Sequence, residues 1–135
     1  MTVSEQNVEL ARRVYEALDR HDRDGYLALM HAEVEIESLL SAVEGGYRGL
    51  DGVRRWWDDF LSIFPDYRLE IEELRAHGEG TVGRFRGTAH GASGETPIVD
   101  PFWHAMKWRD GKCVWWRSCA SEAEALEAID ERSTS

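Results

Sequence analysis

GVRRWWDDFLSIFPDYRLEIEEL, residues 52–74, changes its hydrophobic period once, at Pro65. Before the proline, Val53, Trp56, Trp57, Phe60, Leu61 and Phe64 fall at i, i+3, i+4, i+7, i+8 and i+11, one face of an α-helix. Asp51 stands ahead of the run as the expected N-cap, and Pro65, which lacks an N–H, is expected to stop it. Beyond Pro65, Tyr67, Leu69 and Ile71 alternate with Arg68, Glu70 and Glu72, the period of a half-buried strand.

Upstream of this junction the chain reads as helix, and downstream as strand. SEQNVELARRVYEALDR, residues 4–20, carries Ala11, Val14, Ala17 and Leu18 at helical spacing behind Ser4, an expected N-cap. HDRDG at 21–25 breaks that helix, and YLALMH continues as a short second one with His31 near its C-terminus. VEIESL then alternates as a strand with Val34, Ile36 and Ser38 on one face, and GGYRGLDG reads as loop. Further strands are expected near 81–90, 97–108 and 112–120, with His90 at a strand end or turn. Ser121 and Glu124 form a capping box that opens a last short helix, EAEALEAI, before a tail at 131–135 expected to be disordered. Three helices followed by a meander of strands predict an α+β fold with helices on one face of a mainly antiparallel sheet.

Composition narrows the function. The 135 residues are 42% hydrophobic and show no linker, repeat or low-complexity stretch, so a single domain spanning 1–135 is expected. The N-terminus is polar and the longest apolar stretch, YLALM at 26–30, is far short of a membrane span, so no membrane partner and a cytoplasmic location are expected. Against 16 Lys and Arg stand 26 Asp and Glu, a net charge of −10 that repels a phosphate backbone and argues against nucleic acid. Cys113 and Cys119 are six residues apart on one expected strand, about 20 Å at strand rise, and read as reduced thiols. His21, His31, His77, His90 and His104 show no ligand spacing, so no metal is expected. Nothing resembles a nucleophile elbow, a phosphate-cradling glycine loop or a dinucleotide fingerprint.

The polar residue that stands out is His104, in PFWHAMKWRDGKCVWWRSCA at 101–120, which also holds four of the six tryptophans and both cysteines. Its face depends on the hairpin turn. A two-residue loop, Asp110–Gly111, sets His104 opposite Arg117, and a three-residue loop, Arg109–Asp110–Gly111, sets it opposite Trp116. The three-residue loop is the reading adopted, because it gives one apolar face of Phe102, His104, Met106, Trp108, Val114, Trp116, Ser118 and Ala120. The other face then carries Trp103, Ala105, Lys107, Cys113, Trp115, Arg117 and Cys119, and no cation is buried without a partner.

The phrases LDRHDRDGYLALMHAEVEIES, GGYRGLDGVRRWWDDFLSIFPDYRLEIEEL, GTAHGASGE and MKWRDGKCVWWRSCASEAEALEAI together resemble the NTF2-like superfamily, in particular its SnoaL-like branch, over nearly the whole chain. The resemblance implies a cone-shaped α+β barrel around an apolar pocket, often dimerised through the outer sheet face. Its members include steroid isomerases, polyketide cyclases, dehydratases, epoxide hydrolases and non-enzymatic binding modules. In the isomerases, the acid that donates to the developing enolate falls at His104, the general base at Ser38 beside Glu37, and the phenol at Val14 beside Tyr15. Cyclases pair a histidine with an aspartate near the final strand, where this chain reads SCASE. Glu37 and Asp100 are therefore the candidate acid or base partners of His104, although Asp100 lies about 13 Å along the strand.

The resemblance thus implies a pocket bordered by Val14, Ser38, Trp56, Phe60, Phe102, Met106, Trp116 and Ser118, with His104 as its principal polar group. The ligand expected is a small apolar molecule bearing a carbonyl or fused rings. If the chain is catalytic, the chemistry expected is isomerisation, cyclisation or dehydration by proton transfer, without a cofactor. The alternative is a non-catalytic binding or dimerisation module. A homodimer is expected to cover Trp103 and Trp115, with Lys107 and Arg117 around them.

Overall fold

The computed structural model describes residues 2–38, 47–89 and 98–133. Helices α1 (Val3–Asp19), α2 (Arg23–Ala28) and α3 (Gly49–Ile63) precede most of the sheet, and α4 (Glu122–Ser133) follows it. Strands β1 (Met30–Glu37), β2 (Tyr47–Arg48), β3 (Arg68–His77), β4 (Gly80–Ala89), β5 (Ile98–Arg109) and β6 (Lys112–Cys119) form one curved, unclosed sheet in the order β2-β1-β6-β5-β4-β3. All neighbours are antiparallel except β1 and β6.

The period change at Pro65 marks the passage from α3 to β3, but the helix caps differ from expectation. Thr2, not Ser4, caps α1 by accepting from Glu5 N–H at 3.1 Å. Helix α3 begins at Gly49, whose φ of +67° suits glycine, and Asp51 sits in its first turn paired with Arg54. His31 is in β1 rather than at a helix end. Helix α4 runs to Ser133, so Glu131 to Ser133 are helical and not tail. Ser121 caps it as expected: Glu124 N–H donates to Ser121 Oγ at 3.2 Å, and Ala120 N–H donates to Glu124 Oε2 at 2.7 Å. His90 lies outside the described residues.

The last hairpin corrects the register. Arg109 pairs with Lys112, so the loop is Asp110–Gly111, and both loop residues have positive φ, 53° and 75°, as a type I′ turn requires. Between the pairs Trp108↔Cys113 and Lys107↔Trp115, β6 carries one extra residue, Val114, in a bulge. The bulge shifts the ladder by one, so His104 pairs with Ser118, neither with Trp116 nor with Arg117. The side-chain division of most residues is the same as a three-residue loop gives, because the two registers differ by two residues. Cys113 is the exception: it moves to the inner cluster, while Cys119 stays with the outer one.

Two apolar layers result. The inner face of the sheet meets α1, α2 and α3 in a core that includes Val14, Tyr26, Ile36, Trp56, Met106 and Trp116. The outer face meets α4, where Ala125, Ala128 and Ile129 cover Val82, Ala105 and Trp115. Trp115 is only 1% exposed, and Trp103 is half-buried against the same cluster. The indole N–H of Trp115 donates to Glu37 Oε2 at 3.1 Å, and the Arg132 guanidinium stands 4.8 Å above its ring. Arg117 pairs with Glu124 of α4 at 3.1 Å. The expected dimer patch of Trp103, Trp115 and Arg117 is thus the seat of the chain's own last helix.

At the opposite edge of the sheet, the end of α1 anchors the start of β3. Asp19 accepts from Arg68 Nε at 2.9 Å and Nη2 at 3.2 Å, and from Leu69 N–H at 2.8 Å. The Arg68 hydrogen bond holds the Asp19 carboxyl below its ordinary value. His21, left-handed after α1, donates from Nε2 to the Tyr67 carbonyl at 2.7 Å.

Two measurements follow from this layering. Cys113 and Cys119 face opposite sides of the sheet, and burial raises their thiols to about 12 and about 11, so native protein should react slowly with a thiol reagent and denatured, unreduced protein should yield two thiols. Trp115→Ala should cost about 3–5 kcal/mol in urea unfolding without changing the mass in light scattering. A fall in mass with stability preserved would restore the dimer reading.

Candidate functional site

Between the inner sheet face and the helices lies a cavity of about 580 Å³, within the usual range for a small-molecule site. Aromatic rings dominate its wall: Tyr15 from α1, Tyr26 from α2, Trp56 and Phe60 from α3, and Phe102 and Trp116 from the sheet. Gly87 lets the wall close, since a Cβ there would stand 2.7 Å from the Tyr67 hydroxyl. The one charged residue that borders the cavity among the described residues is Glu124, already engaged by Arg117 and Ala120 N–H.

His104 is the one histidine on this wall among the described residues, buried at 6% exposure. Its ring centroid lies 4.6 Å from that of Trp116 and edge-on to Tyr15, Phe85 and Phe102. Burial lowers its pKa from 6.5 to about 3, so the ring is neutral at physiological pH. Its Nδ1 is 2.9 Å from the Tyr15 hydroxyl. Burial pushes the Tyr15 phenol well above its ordinary value, so it keeps its proton, and it has no other acceptor among the described residues. Tyr15 O–H therefore donates to His104 Nδ1, which assigns the remaining ring proton to Nε2. Nε2 makes no hydrogen bond among the described residues, so the tautomer offers one free donor on a cavity residue.

Other polar groups are less available. Trp56 and Trp116 Nε1 are buried and unpaired among the described residues, but both are sealed by neighbouring atoms. Trp116 Nε1 offsets part of the rise that burial imposes on the Tyr26 phenol, without reaching hydrogen-bond geometry.

Of the sequence candidates, Ser38, Trp56, Phe60, Phe102, Trp116, Ser118 and His104 border the cavity. Val14 and Met106 do not; both are fully buried in the core. Tyr15, one residue from Val14, borders the cavity and holds His104. Its spacing with Ala11 and Leu18 was the available signal, since 11, 14, 15 and 18 are i, i+3, i+4 and i+7. Glu37 is corrected as a partner of His104: it lies on the outer face, exposed, and accepts from Trp115. The backbone of Asp100 pairs with Gly87, and its side chain lies outside what is described. Among the described residues, no cluster of His, Cys, Asp or Glu fits a metal ion.

The buried imidazole has a thermodynamic signature. Across pH 3 to 6.5 the unfolded chain binds more protons at this histidine than the folded chain does, so stability falls as pH drops through that window. One such group contributes a slope of up to about 1.4 kcal/mol per pH unit, and its contribution is complete above 6.5. Urea titrations of the parent and of His104→Gln between pH 4 and 6 should show the variant with the shallower dependence. Equal slopes would mean that His104 is not buried as a neutral ring.

Comparison with known proteins agrees with this fold. An NTF2-like protein from Burkholderia pseudomallei K96243 superimposes with a TM-score of 0.77 at 22% identity, over 96% of this chain and 98% of that one. TerC, crystallised with polyporic acid, gives 0.73 at 21% identity over 90% and 98%. A Catenulispora acidiphila DSM 44928 protein of ketosteroid isomerase-like fold, in complex with trimethylamine, gives 0.74 at 13% identity over 88% and 90%. At these identities the likeness shows the fold. No curated protein matches the chain, and no described helix is long and apolar enough to cross a membrane. The SnoaL-like domain model matches residues 11–116, and with it the chain belongs to the SnoaL-like domain family.

Proposed function

We propose that the protein binds an uncharged apolar molecule bearing a carbonyl, and that His104, held by Tyr15, is the hydrogen-bond donor that orients it. The observation that carries this reading is the neutral His104 ring, with Nδ1 occupied by Tyr15 and Nε2–H free on the cavity wall. A donor without an acceptor in an apolar cavity costs free energy that a ligand oxygen recovers. A carboxylate or phosphate ligand is disfavoured, because no Lys or Arg borders the cavity among the described residues. Two structural neighbours were crystallised with small organic molecules, which supports a ligand of that size.

Proton-transfer catalysis, as a cofactor-independent isomerase, cyclase or dehydratase, is the second reading. A carbonyl that accepts from Nε2–H has more acidic neighbouring C–H bonds, which favours it. With a pKa of about 3, His104 itself serves as the donor and not as the base. Asp100 is the candidate base, since its backbone pairs with Gly87, a cavity residue, and it shares strand parity with His104.

Equilibrium dialysis with a panel of neutral polycyclic ketones tests the binding reading. Affinity should be flat between pH 5 and 8, and His104→Ala should weaken it by on the order of 1 kcal/mol. Unchanged affinity in that variant, together with lower stability, would make His104 a structural core residue. For a ketone that the protein turns over, Asp100→Asn should abolish turnover and leave affinity within twofold. Full turnover in that variant would remove Asp100 as the base.

A further inference from the structure

Ser118 is the inner-face residue that pairs with His104 across the β5–β6 ladder. Directly opposed residues on one face of an antiparallel pair hold their Cβ atoms about 4.5–5.5 Å apart. Both side chains border the cavity, and the neighbouring inner-face pair, Met106 with Trp116, is wholly buried and apolar on the ring and thioether surfaces that meet there. Ser118 is half-buried, and its hydroxyl makes no hydrogen bond among the described residues. An alanine would fill the same space without that unpaired hydroxyl. Two polar groups therefore stand side by side on a largely aromatic wall, and neither uses its free hydrogen on another group among the described residues.

We infer that His104 Nε2–H and Ser118 Oγ–H form a two-donor grip on a single carbonyl oxygen of the ligand. This rests on the carbonyl-binding reading above and makes it specific. The sp² oxygen of a ketone or quinone has two lone pairs in one plane and can accept from both donors at once. An ether or a hydrocarbon of the same shape cannot satisfy the pair as well. The Tyr15 hydrogen bond is what keeps Nε2 a donor, so it is the positioning contact for the grip. The ligand class is then an uncharged ketone or quinone of two or three fused rings, a size that suits a cavity of about 580 Å³.

Fluorenone and fluorene, which share a ring skeleton and differ at the carbonyl, separate the possibilities when their dissociation constants are measured by equilibrium dialysis. Parent protein should bind fluorenone about tenfold or more tighter than fluorene. Ser118→Ala and His104→Ala should each cut fluorenone affinity about fivefold and leave fluorene affinity within twofold. In the double variant the two ligands should bind alike. If the parent shows no preference for fluorenone, the carbonyl-binding reading itself fails. If the parent prefers fluorenone, and His104→Ala loses the preference while Ser118→Ala keeps all of it, the reading stands and the two-donor grip is overturned.

Discussion

The bulge at Val114 decides which side chains of the last two strands face inward. A type I′ turn at Asp110–Gly111, continued without interruption, would place Arg117 beside His104 on the concave face and turn Trp116 and Ser118 outward. A guanidinium would then be buried in a largely aromatic cavity, with Glu124 the one carboxylate at its border among the described residues. One unpaired residue in β6 removes that conflict at the cost of a local break in the ladder. Trp116 and Ser118 turn in, Trp115, Arg117 and Cys119 turn out, and the cavity and the seat of α4 are created together.

The charge distribution follows from that choice. Three of the hairpin's four cations pair with a carboxylate on the convex side or at an edge, Lys107 with Glu79, Arg109 with Glu33 and Arg117 with Glu124, and the fourth, Lys112, donates to the Ala28 carbonyl at 2.8 Å. The concave side keeps neutral polar groups, whose burial is tolerable when they pair with each other or with a ligand. The Tyr15 to His104 hydrogen bond is the central instance. It satisfies a buried phenol and, through the tautomer, converts an ambivalent imidazole into a directional donor. A histidine held neutral in this way suits recognition of a carbonyl better than proton abstraction, which needs a pKa nearer the working pH.

Much of the fold was legible because hydrophobic period reports burial directly. The stripe from Val53 to Phe64 and the alternation after Pro65 gave α3 and β3, and with them the α+β class. The bulge was not legible, since Val114 is an ordinary strand residue and nothing local marks it as extra. The inner face of His104 was nevertheless found, because a three-residue loop and a two-residue loop with a bulge have equal parity. Cys113, on the turn side of the bulge, is where that equivalence ends. The misread outer face has a different cause: two tryptophans on a convex surface call for a cover, but only the tertiary structure shows that Ala125, Ala128 and Ile129 supply it. Tyr15 stands at helical spacing with Ala11 and Leu18, whereas the resemblance to the isomerases implied the neighbouring Val14.

The role proposed for His104 is that of a neutral donor from the cavity wall to a ligand carbonyl. The infrared C=O stretch of ¹³C-labelled fluorenone bound to the protein reads that donor directly. A band shifted to lower frequency than in an apolar solvent, and moved back toward the solvent value in His104→Ala, is the predicted result. A bound ketone that absorbs at its apolar-solvent frequency in the parent protein would contradict the claim.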